Sequence, residues 1–167
     1  MNGWTVDVRR LSEVRPQDVM ALHNHPRVRR TLPLAQSLMD EAGAQRFIAA
    51  KERLWEEHGY GPWAFFVGDR FAGWGGLQPE GPDADLGLVL HPDFWGLGQQ
   101  VIPTILRHAF SEWGLPSVTV LLPQGLRGMR AATRFGFSPD GEVMLNRVTF
   151  VRYRLPISTW RAAQKMP

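Results

Sequence analysis

The chain has 167 residues, of which 44% are hydrophobic and 21% charged, a composition typical of one globular domain with its own core. It contains no cysteine, which excludes disulfides, a thiolate metal site and a cysteine nucleophile. The net charge is only +3 and no long basic run occurs, which argues against a nucleic-acid-binding surface. We find neither a membrane-spanning apolar stretch nor a signal-peptide pattern, so we expect one cytoplasmic domain over residues 1–167, without a bound metal.

The first half of the chain predicts three strands and two helices. Apolar side chains recur at three- and four-residue spacing from Asp40 to His58, which predicts an amphipathic helix that ends at Gly59. Alternating and aromatic-rich runs predict strands, two of them joined by a hairpin turn at residues 68–70. In chain order the predicted elements are a strand at 4–10, helices at 16–23 and 40–58, and strands at 63–67 and 71–77.

The second half predicts a strand–helix–strand unit and a closing pair of strands. Because a helix joins the strands at 85–90 and 117–122, we expect them to be parallel. Pro103 should bend that helix or shift its start. The predicted elements are a loop at 78–84, a strand at 85–90, a helix at 101–113, a strand at 117–122, a helix at 127–135, strands at 142–145 and 148–155, and a helical turn or two at 158–165.

Residues 91–100 join the predicted strand to the predicted helix and include two glycines, Gly96 and Gly98. Glycine lets the backbone turn tightly and lets a ligand approach the peptide N–H groups. The first turn of a helix adds free N–H groups and the positive end of its dipole. A strand, a glycine turn and a helix start are together typical of a phosphate-binding site. A simple strand-to-helix turn is the alternative.

Three motifs then match one superfamily in the same order. The segment DLGLVLHPDFWGLG, which starts at Asp85, is similar to an acidic-x-Gly strand followed by Pro-x-x-Trp-Gly-x-Gly. Ala109-Phe110 and the pair Gly136-Phe137 also fit. With the predicted strand layout, these motifs make the chain resemble the GNAT acetyltransferase superfamily, and most closely its ribosomal-protein N-terminal acetyltransferase branch. The resemblance runs from Val6 to Gly141.

The resemblance implies an α/β fold of the GNAT type. Such a fold has a mixed, mostly antiparallel sheet of about seven strands, a parallel central pair and helices on both faces. The resemblance also implies acetyl-CoA as cosubstrate, with its pyrophosphate on the backbone amides of the glycine turn and its pantetheine arm beside the strand. The cofactor-binding residues implied are Leu88, Val89, Leu90, Trp95, Gly96, Leu97, Gly98, Gln99 and Gln100.

The chain departs from the family pattern at positions credited with protonating the departing CoA thiolate. Where the branch has an Asn and, three positions later, a Ser, this chain has Gly125 and Gly128. Many other members have a Tyr four residues before the Gly-Phe pair, where this chain has Ala132. The predicted fold is unaffected, but the catalytic efficiency is in question.

Asp85 is the candidate catalytic residue, because it matches an acidic position that the family often uses to position or deprotonate the amine. An amine is protonated at neutral pH and must lose that proton before it attacks. His23, His25 and Trp74 are candidates for lining the acceptor site, and either histidine can replace a missing acid or base. The alternatives are a solvated aspartate, structural histidines and a core tryptophan.

The leading hypothesis is an acyl-CoA-dependent N-acetyltransferase acting on a small-molecule or peptide amine, as a monomer or homodimer. Acetyl transfer is expected to be direct, since the chain has no cysteine to carry an acyl group. One alternative is a non-catalytic acyl-CoA-binding module of the same fold, which the residues at 125, 128 and 132 motivate. A weaker alternative is a nucleic-acid or ribosome-associated binder that uses its arginines.

Overall fold

The computed structural model describes residues 3–32 and 37–167 of the chain. Seven strands form one mixed sheet, which confirms the predicted fold class. They are β1 (Val6–Arg10), β2 (Pro62–Val67), β3 (Arg70–Glu80), β4 (Asp83–Leu90), β5 (Ser117–Pro123), β6 (Ser138–Leu145) and β7 (Val148–Pro156). The strand order is β1-β2-β3-β4-β5-β7-β6. Asp85 of β4 lies opposite Thr119 of β5 in a parallel register, as expected for strands joined by a helix.

The helices lie between the strands along the chain. They are α1 (Pro16–Asn24), α2 (Pro26–Arg29), α3 (Glu41–His58), α4 (Gly98–Arg107), α5 (Leu126–Arg134) and α6 (Ile157–Gln164). Short 3-10 helices occupy Leu11–Glu13 and Pro92–Leu97, and a π-helical turn at His108–Glu112 follows α4. Within the described ranges, no helix combines the length and apolar composition that a bilayer span requires.

The predicted loop at 78–84 is wrong. β3 continues to Glu80 and β4 begins at Asp83, so the turn consists of Gly81 and Pro82. Gly81 has a φ of 58°, in the left-handed region that glycine adopts freely. The Pro and Gly residues therefore mark a tight turn, while the polar residues on either side belong to strand ends.

The predicted helix at 101–113 begins earlier than expected and does not continue as an α-helix. α4 already begins at Gly98, directly after the 3-10 helix, and becomes π-helical at His108. Pro103 lies inside α4, where it has no N–H for the carbonyl of Gln99. The apolar spacing indicated the helix, but spacing alone does not distinguish α-helical from π-helical turns.

Two compact units make up the chain. The first unit comprises Met1–Gln78 and Gly87–Ile102. Its longest helix, α3, begins after Asp40, whose carboxylate accepts a 2.7 Å hydrogen bond from the N–H of Gly43, and ends at Gly59 with a φ of 74°. The buried core of this unit includes Leu11, Val14, Val19, Leu22, Val28, Ala44, Ala64, Phe66, Trp74 and Val89.

The second unit comprises Pro79–Leu86 and Pro103–Pro167. Strands β5, β7 and β6 pair antiparallel within it, and Tyr153 of β7 is buried. The Arg154 guanidinium donates to Asp83 at 2.8 Å and to Asp140 at 2.8 Å. This hydrogen-bonded contact holds the pKa of Asp83 below its ordinary value, which keeps the carboxylate charged beside the guanidinium.

Candidate active site

Strand β4 is followed by the candidate phosphate-binding segment at residues 91–100, which contains a capped 3-10 helix. The N–H of His91 donates to the carbonyl of Ala72 on β3, at 2.8 Å, so the pairing with β3 continues one residue past the end of β4. The His91 ring then accepts a 3.1 Å hydrogen bond at Nδ1 from the N–H of Asp93. His91 thereby caps the 3-10 helix.

The two glycines of this segment do not supply unusual backbone angles. Gly98 has φ and ψ of −54° and −34°, ordinary right-handed helical values, and the positive-φ glycines do not include Gly96. A Cβ on Gly98 would instead lie 3.2 Å from Cδ2 of Leu88 on β4. The expectation of an unusual glycine turn is therefore wrong for Gly98, which packs closely against the Leu88 side chain, whereas its close approach to a ligand stays a prediction.

Helix α4 begins at this place. The helix continues directly from the 3-10 helix at Pro92–Leu97, and the side chains of Gln99 and Gln100 at its start are exposed. The side chain of Gln100 is occupied elsewhere, because its oxygen accepts from the N–H of Trp4 at 2.9 Å and its nitrogen donates to the carbonyl of Trp4 at 2.9 Å. The helix start therefore places the positive end of its dipole at this segment, which favours an anion.

Trp95 is the one large apolar residue of the segment that remains well exposed, at 40% of its surface. Its indole N–H donates to the carbonyl of Leu90 at 3.1 Å, which fixes the ring against the end of β4. The guanidinium of Arg27 stacks over the ring, 4.6 Å from its centroid. This contact brings a cation to the glycine segment, and the arginine cluster at 27–30 was its only signal in the sequence.

Along β4, the backbone N–H and C=O groups of successive residues point alternately toward β3 and away from it. The carbonyl of Val89 lies against Gly73 of β3, where a Cβ would approach it to 2.2 Å. Because successive residues of a strand direct their N–H and C=O groups to opposite sides, these backbone groups of Leu88 and Leu90 face away from β3. Leu88 and Leu90 therefore have the orientation that an added extended ligand needs, while the backbone of Val89 already belongs to the sheet.

Asp85 is a buried carboxylate in the second unit, with 8% of its surface exposed. The hydroxyl of Thr119 on β5 donates to its Oδ1 at 3.0 Å. Burial raises the pKa of Asp85 to about 7, with the negative charges of Glu80 and Asp83 in the same direction and the Thr119 hydrogen bond opposing them. A carboxyl that exchanges its proton near neutral pH is suited to general base chemistry.

His23 and Trp74 meet in the first unit. The indole N–H of Trp74 donates to Nε2 of His23 at 2.9 Å, and the ring of Phe47 meets the imidazole edge-on at 4.8 Å between centroids. Burial, together with the nearby charge of Lys51, lowers the pKa of His23 to about 4. The imidazole is thus neutral at physiological pH and its Nε2 is occupied, so His23 is not suited to act as the base.

The structure does not bring His25 into the cluster formed by His23, Phe47 and Trp74, which we call the Trp74 cluster. Its Nδ1 accepts from the N–H of Arg27 at 3.2 Å, which makes His25 the cap of α2, and its ring meets that of His91 at 5.1 Å. This arrangement gives the residue a structural position, as the His-Pro sequence indicates.

Lys51 completes the Trp74 cluster and was missed by the sequence analysis. Its ammonium donates to Oε1 of Gln78 at 2.5 Å and lies 5.4 Å from the Trp74 ring centroid. Burial lowers the pKa of Lys51, because water no longer fully solvates the ammonium. Its position on α3 carried a weak signal, in that nearly all other basic residues of the chain are arginines.

The positions without the family's acid are restricted either by their backbone angles or by their packing. Gly125 has a φ of 140° at the start of α5, a conformation that side chains rarely adopt. A Cβ on Gly128 would lie 3.0 Å from the carbonyl oxygen of Pro123, and Ala132 is buried. These three residues therefore fit the backbone of this chain, and a larger side chain there would need the structure to shift.

Comparison of the chain with protein families and solved structures finds acetyltransferases. A family model described as the acetyltransferase (GNAT) domain matches residues 9–138. No curated protein matches the chain. A structure from Bordetella pertussis assigned to the GnaT acetyltransferase family superposes with a TM-score of 0.76 at 18% identity, over 92% of this chain and 97% of that one.

Two further solved structures share the fold. An acetyltransferase from Agrobacterium tumefaciens has a TM-score of 0.73 at 18% identity, with 93% and 92% of the two chains covered. The ribosomal L7/L12 alpha-N-protein acetyltransferase RimL, solved in complex with coenzyme A, has a TM-score of 0.73 at 18% identity, with 93% and 96% covered. At these identities the likeness concerns the fold.

Proposed function

Since the chain belongs to the GNAT acetyltransferase family, we propose that it transfers an acetyl group from acetyl-CoA directly to a primary amine. The observation that carries the amine chemistry is Asp85, a buried carboxylate with a pKa of about 7. Near neutral pH such a group is ionised often enough to accept a proton and basic enough to hold it. The family supports acetyl-CoA as the donor.

The donor is held by the start of α4 and the end of β4. The backbone amides from Trp95 to Gln100, aligned with the positive end of the helix dipole, bind the pyrophosphate. Arg27, stacked on Trp95, adds a positive charge at that segment. The amides of the pantetheine arm pair with the outward-facing backbone of Leu88 and Leu90, as an added strand does.

The reaction conserves its atoms without an enzyme nucleophile. Asp85 takes a proton from the acceptor ammonium, directly or through water, and the freed amine attacks the thioester carbonyl. The C–N bond forms, the C–S bond breaks, and the CoA thiolate leaves with the electron pair, while the second proton that the nitrogen must lose goes to water or to the departing thiolate. A thiol has a pKa of about 8.5, so the thiolate can leave unprotonated or take its proton from water. An acid at position 128 or 132 is therefore not required.

The second candidate is a non-catalytic acyl-CoA-binding module. The absence of the family's acid at Gly125, Gly128 and Ala132 motivates it. The two candidates share CoA binding and differ in turnover.

The test is a thiol-release assay with acetyl-CoA and a panel of amines. The panel contains amino acids, acidic and neutral peptides, a polyamine and a protein N-terminus, the last of which the likeness to RimL supports including. Acceptor-dependent release of free CoA supports the enzyme, whereas calorimetric binding of CoA without release on any acceptor supports the module. Intact-mass analysis after incubation with acetyl-CoA tests direct transfer, since an acetyl adduct that discharges to the acceptor contradicts it.

A further inference from the structure

We propose that Lys51 binds a carboxylate of the acceptor, so that the substrate is an amine that also carries an acidic group, such as an amino acid or an acidic peptide. The proposal rests on the proposed function and names its acceptor class. It is carried by a half-buried ammonium that has no anion beside it.

The ammonium of Lys51 is held by one neutral partner. Its hydrogen bond goes to the amide oxygen of Gln78, and the described residues place no carboxylate within salt-bridge distance of it. The next residue of α3 shows the contrast, because Glu52 pairs with Arg10 at 3.0 Å. An ammonium has three N–H donors, so two remain for a ligand. Taking a cation partly out of water is unfavourable unless an anion compensates it.

The surroundings of the ammonium form a fixed aromatic wall. The ammonium lies 5.3 Å from the ring centroid of Phe47 and 5.4 Å from that of Trp74, and the two rings are 5.3 Å apart. His23 holds the Trp74 indole through its hydrogen bond. The ring faces attract the ammonium but carry no formal charge, so a carboxylate can still pair with it through charge-assisted hydrogen bonds, which are strong.

The cluster lies beside the strand that we assign to the donor. A Cβ on Gly87 would meet Nε2 of Gln78 at 3.2 Å and the Trp74 ring at 3.6 Å. Gly87 directly precedes Leu88, along which the pantetheine arm is proposed to lie. A carboxylate on Lys51 would therefore anchor an acceptor next to this strand.

The charge also determines what is excluded. A polyamine or another polycation brings positive charge toward an uncompensated ammonium, which disfavours it. The competing explanation is structural: Lys51 covers the aromatic rings with its aliphatic stem and only reaches for Gln78. The two explanations differ in whether removal of the charge changes acceptor selectivity.

The turnover experiment compares amino acids with their amides, and an acidic peptide with its amidated form. We expect wild type to favour the carboxylate member of each pair in kcat/KM. Lys51→Met should lower kcat/KM for the carboxylate member about tenfold or more and leave the amide member little changed. Lys51→Arg should retain the preference. Lys165→Met, at the other lysine of the chain, is the matched control.

A second variant tests the same charge without removing it. Gln78→Glu places a carboxylate where the amide oxygen now accepts from Lys51, so an internal anion competes with the ligand. We expect the carboxylate preference to disappear while the thermal melting temperature stays close to that of wild type. Because the variant keeps Lys51, its outcome does not depend on whether Lys51→Met folds well.

A binding measurement separates this proposal from the proposed function. The probes are an N-acetyl amino acid and its amide, titrated by calorimetry in the presence of CoA, with no turnover needed. Binding of the acid that is lost in Lys51→Met supports the anion site even if no amine is acetylated. Equal binding of acid and amide, or equal effects of Lys51→Met on both members of each pair, would overturn the proposal while leaving acetyl transfer intact.

Discussion

The hydroxyl of Thr119 donates a 3.0 Å hydrogen bond to the buried carboxylate of Asp85. The two residues face each other in the parallel register of β4 and β5, so the sheet itself sets their separation. Burial raises the pKa of Asp85, and the hydroxyl, which stabilises the ionised form, limits the rise to about 7. The pair therefore brings the pKa of this carboxyl near neutral pH, as the proposed role of a base requires.

Asp85→Asn should lower turnover by roughly 100-fold or more, because the amide cannot accept the ammonium proton. In wild type, kcat/KM should rise with pH through about 7, where Asp85 loses its proton, and this ascending limb should be absent in the variant. CoA affinity, measured by calorimetry, should change little. An unchanged rate and profile would remove Asp85 from the mechanism and leave a water as the base.

Thr119→Val removes the hydroxyl at nearly constant volume. The hydrogen bond lowers the pKa of Asp85, so its loss should move the ascending limb of the pH–rate profile to higher pH, by about one unit or less. Thr119→Ser keeps a hydroxyl and is the control. The measurement is kcat/KM against pH for all three proteins; a limb that stays in place in Thr119→Val contradicts the assigned role of the hydrogen bond.

Asp85 should also make folding stability depend on pH. Its folded pKa lies above the ordinary value of 3.8, so between 3.8 and about 7 the folded state binds the proton that the unfolded state has lost. Stability should therefore fall as pH rises through this window and level off above it. Asp85→Asn should remove this pH dependence. The free energy of unfolding of the variant, minus that of wild type, should therefore be about 1–3 kcal/mol larger at pH 8 than at pH 5. Chemical denaturation at the two pH values measures this difference.

Sequence patterns predicted the sheet because they report local periodicity. The hairpin at 68–70, the helix from Asp40 to Gly59 and the parallel strands each carry such a pattern, and the structure has all of them. The extension of β3 and β4 toward Gly81 was missed because polar strand ends resemble loops. The expectation of a single domain, and those of cytoplasmic location and of a monomer or homodimer, remain predictions.

The site was predicted less completely, because side-chain contacts between distant segments leave no local pattern. Asp85 was identified through its motif, but Thr119, 34 residues later, was not. Lys51 and Gln78, 27 residues apart, carry no motif at all. The contact of Gly98 with Leu88 was missed for the same reason, since it depends on how α4 packs on the strand.

Gly98→Leu should weaken CoA binding about tenfold or more, because a bulky side chain would occupy the space between α4 and β4 and the place of the pyrophosphate. Gly98→Ala is the graded comparison, since its backbone angles suit alanine and only the 3.2 Å approach to Leu88 opposes it. Calorimetry with CoA measures both, and thermal melting checks the fold. Undiminished affinity in Gly98→Leu would contradict the assignment of the donor site.

Gly128→Ser tests whether the family's missing acid can be restored. A glycine inside a helix costs up to about 1 kcal/mol relative to alanine, so its replacement would ordinarily stabilise α5. Here the new Cβ would lie 3.0 Å from the backbone oxygen of Pro123, which cannot move as a side chain can, so we expect a net loss of about 1 kcal/mol or more. Ala131→Ser, at an exposed position of the same helix, shows the effect of serine without crowding. Denaturation gives the stabilities and thiol release gives kcat; because water can protonate the thiolate, kcat should not rise. A stable Gly128→Ser variant with a higher kcat would show that thiolate protonation limits the natural enzyme.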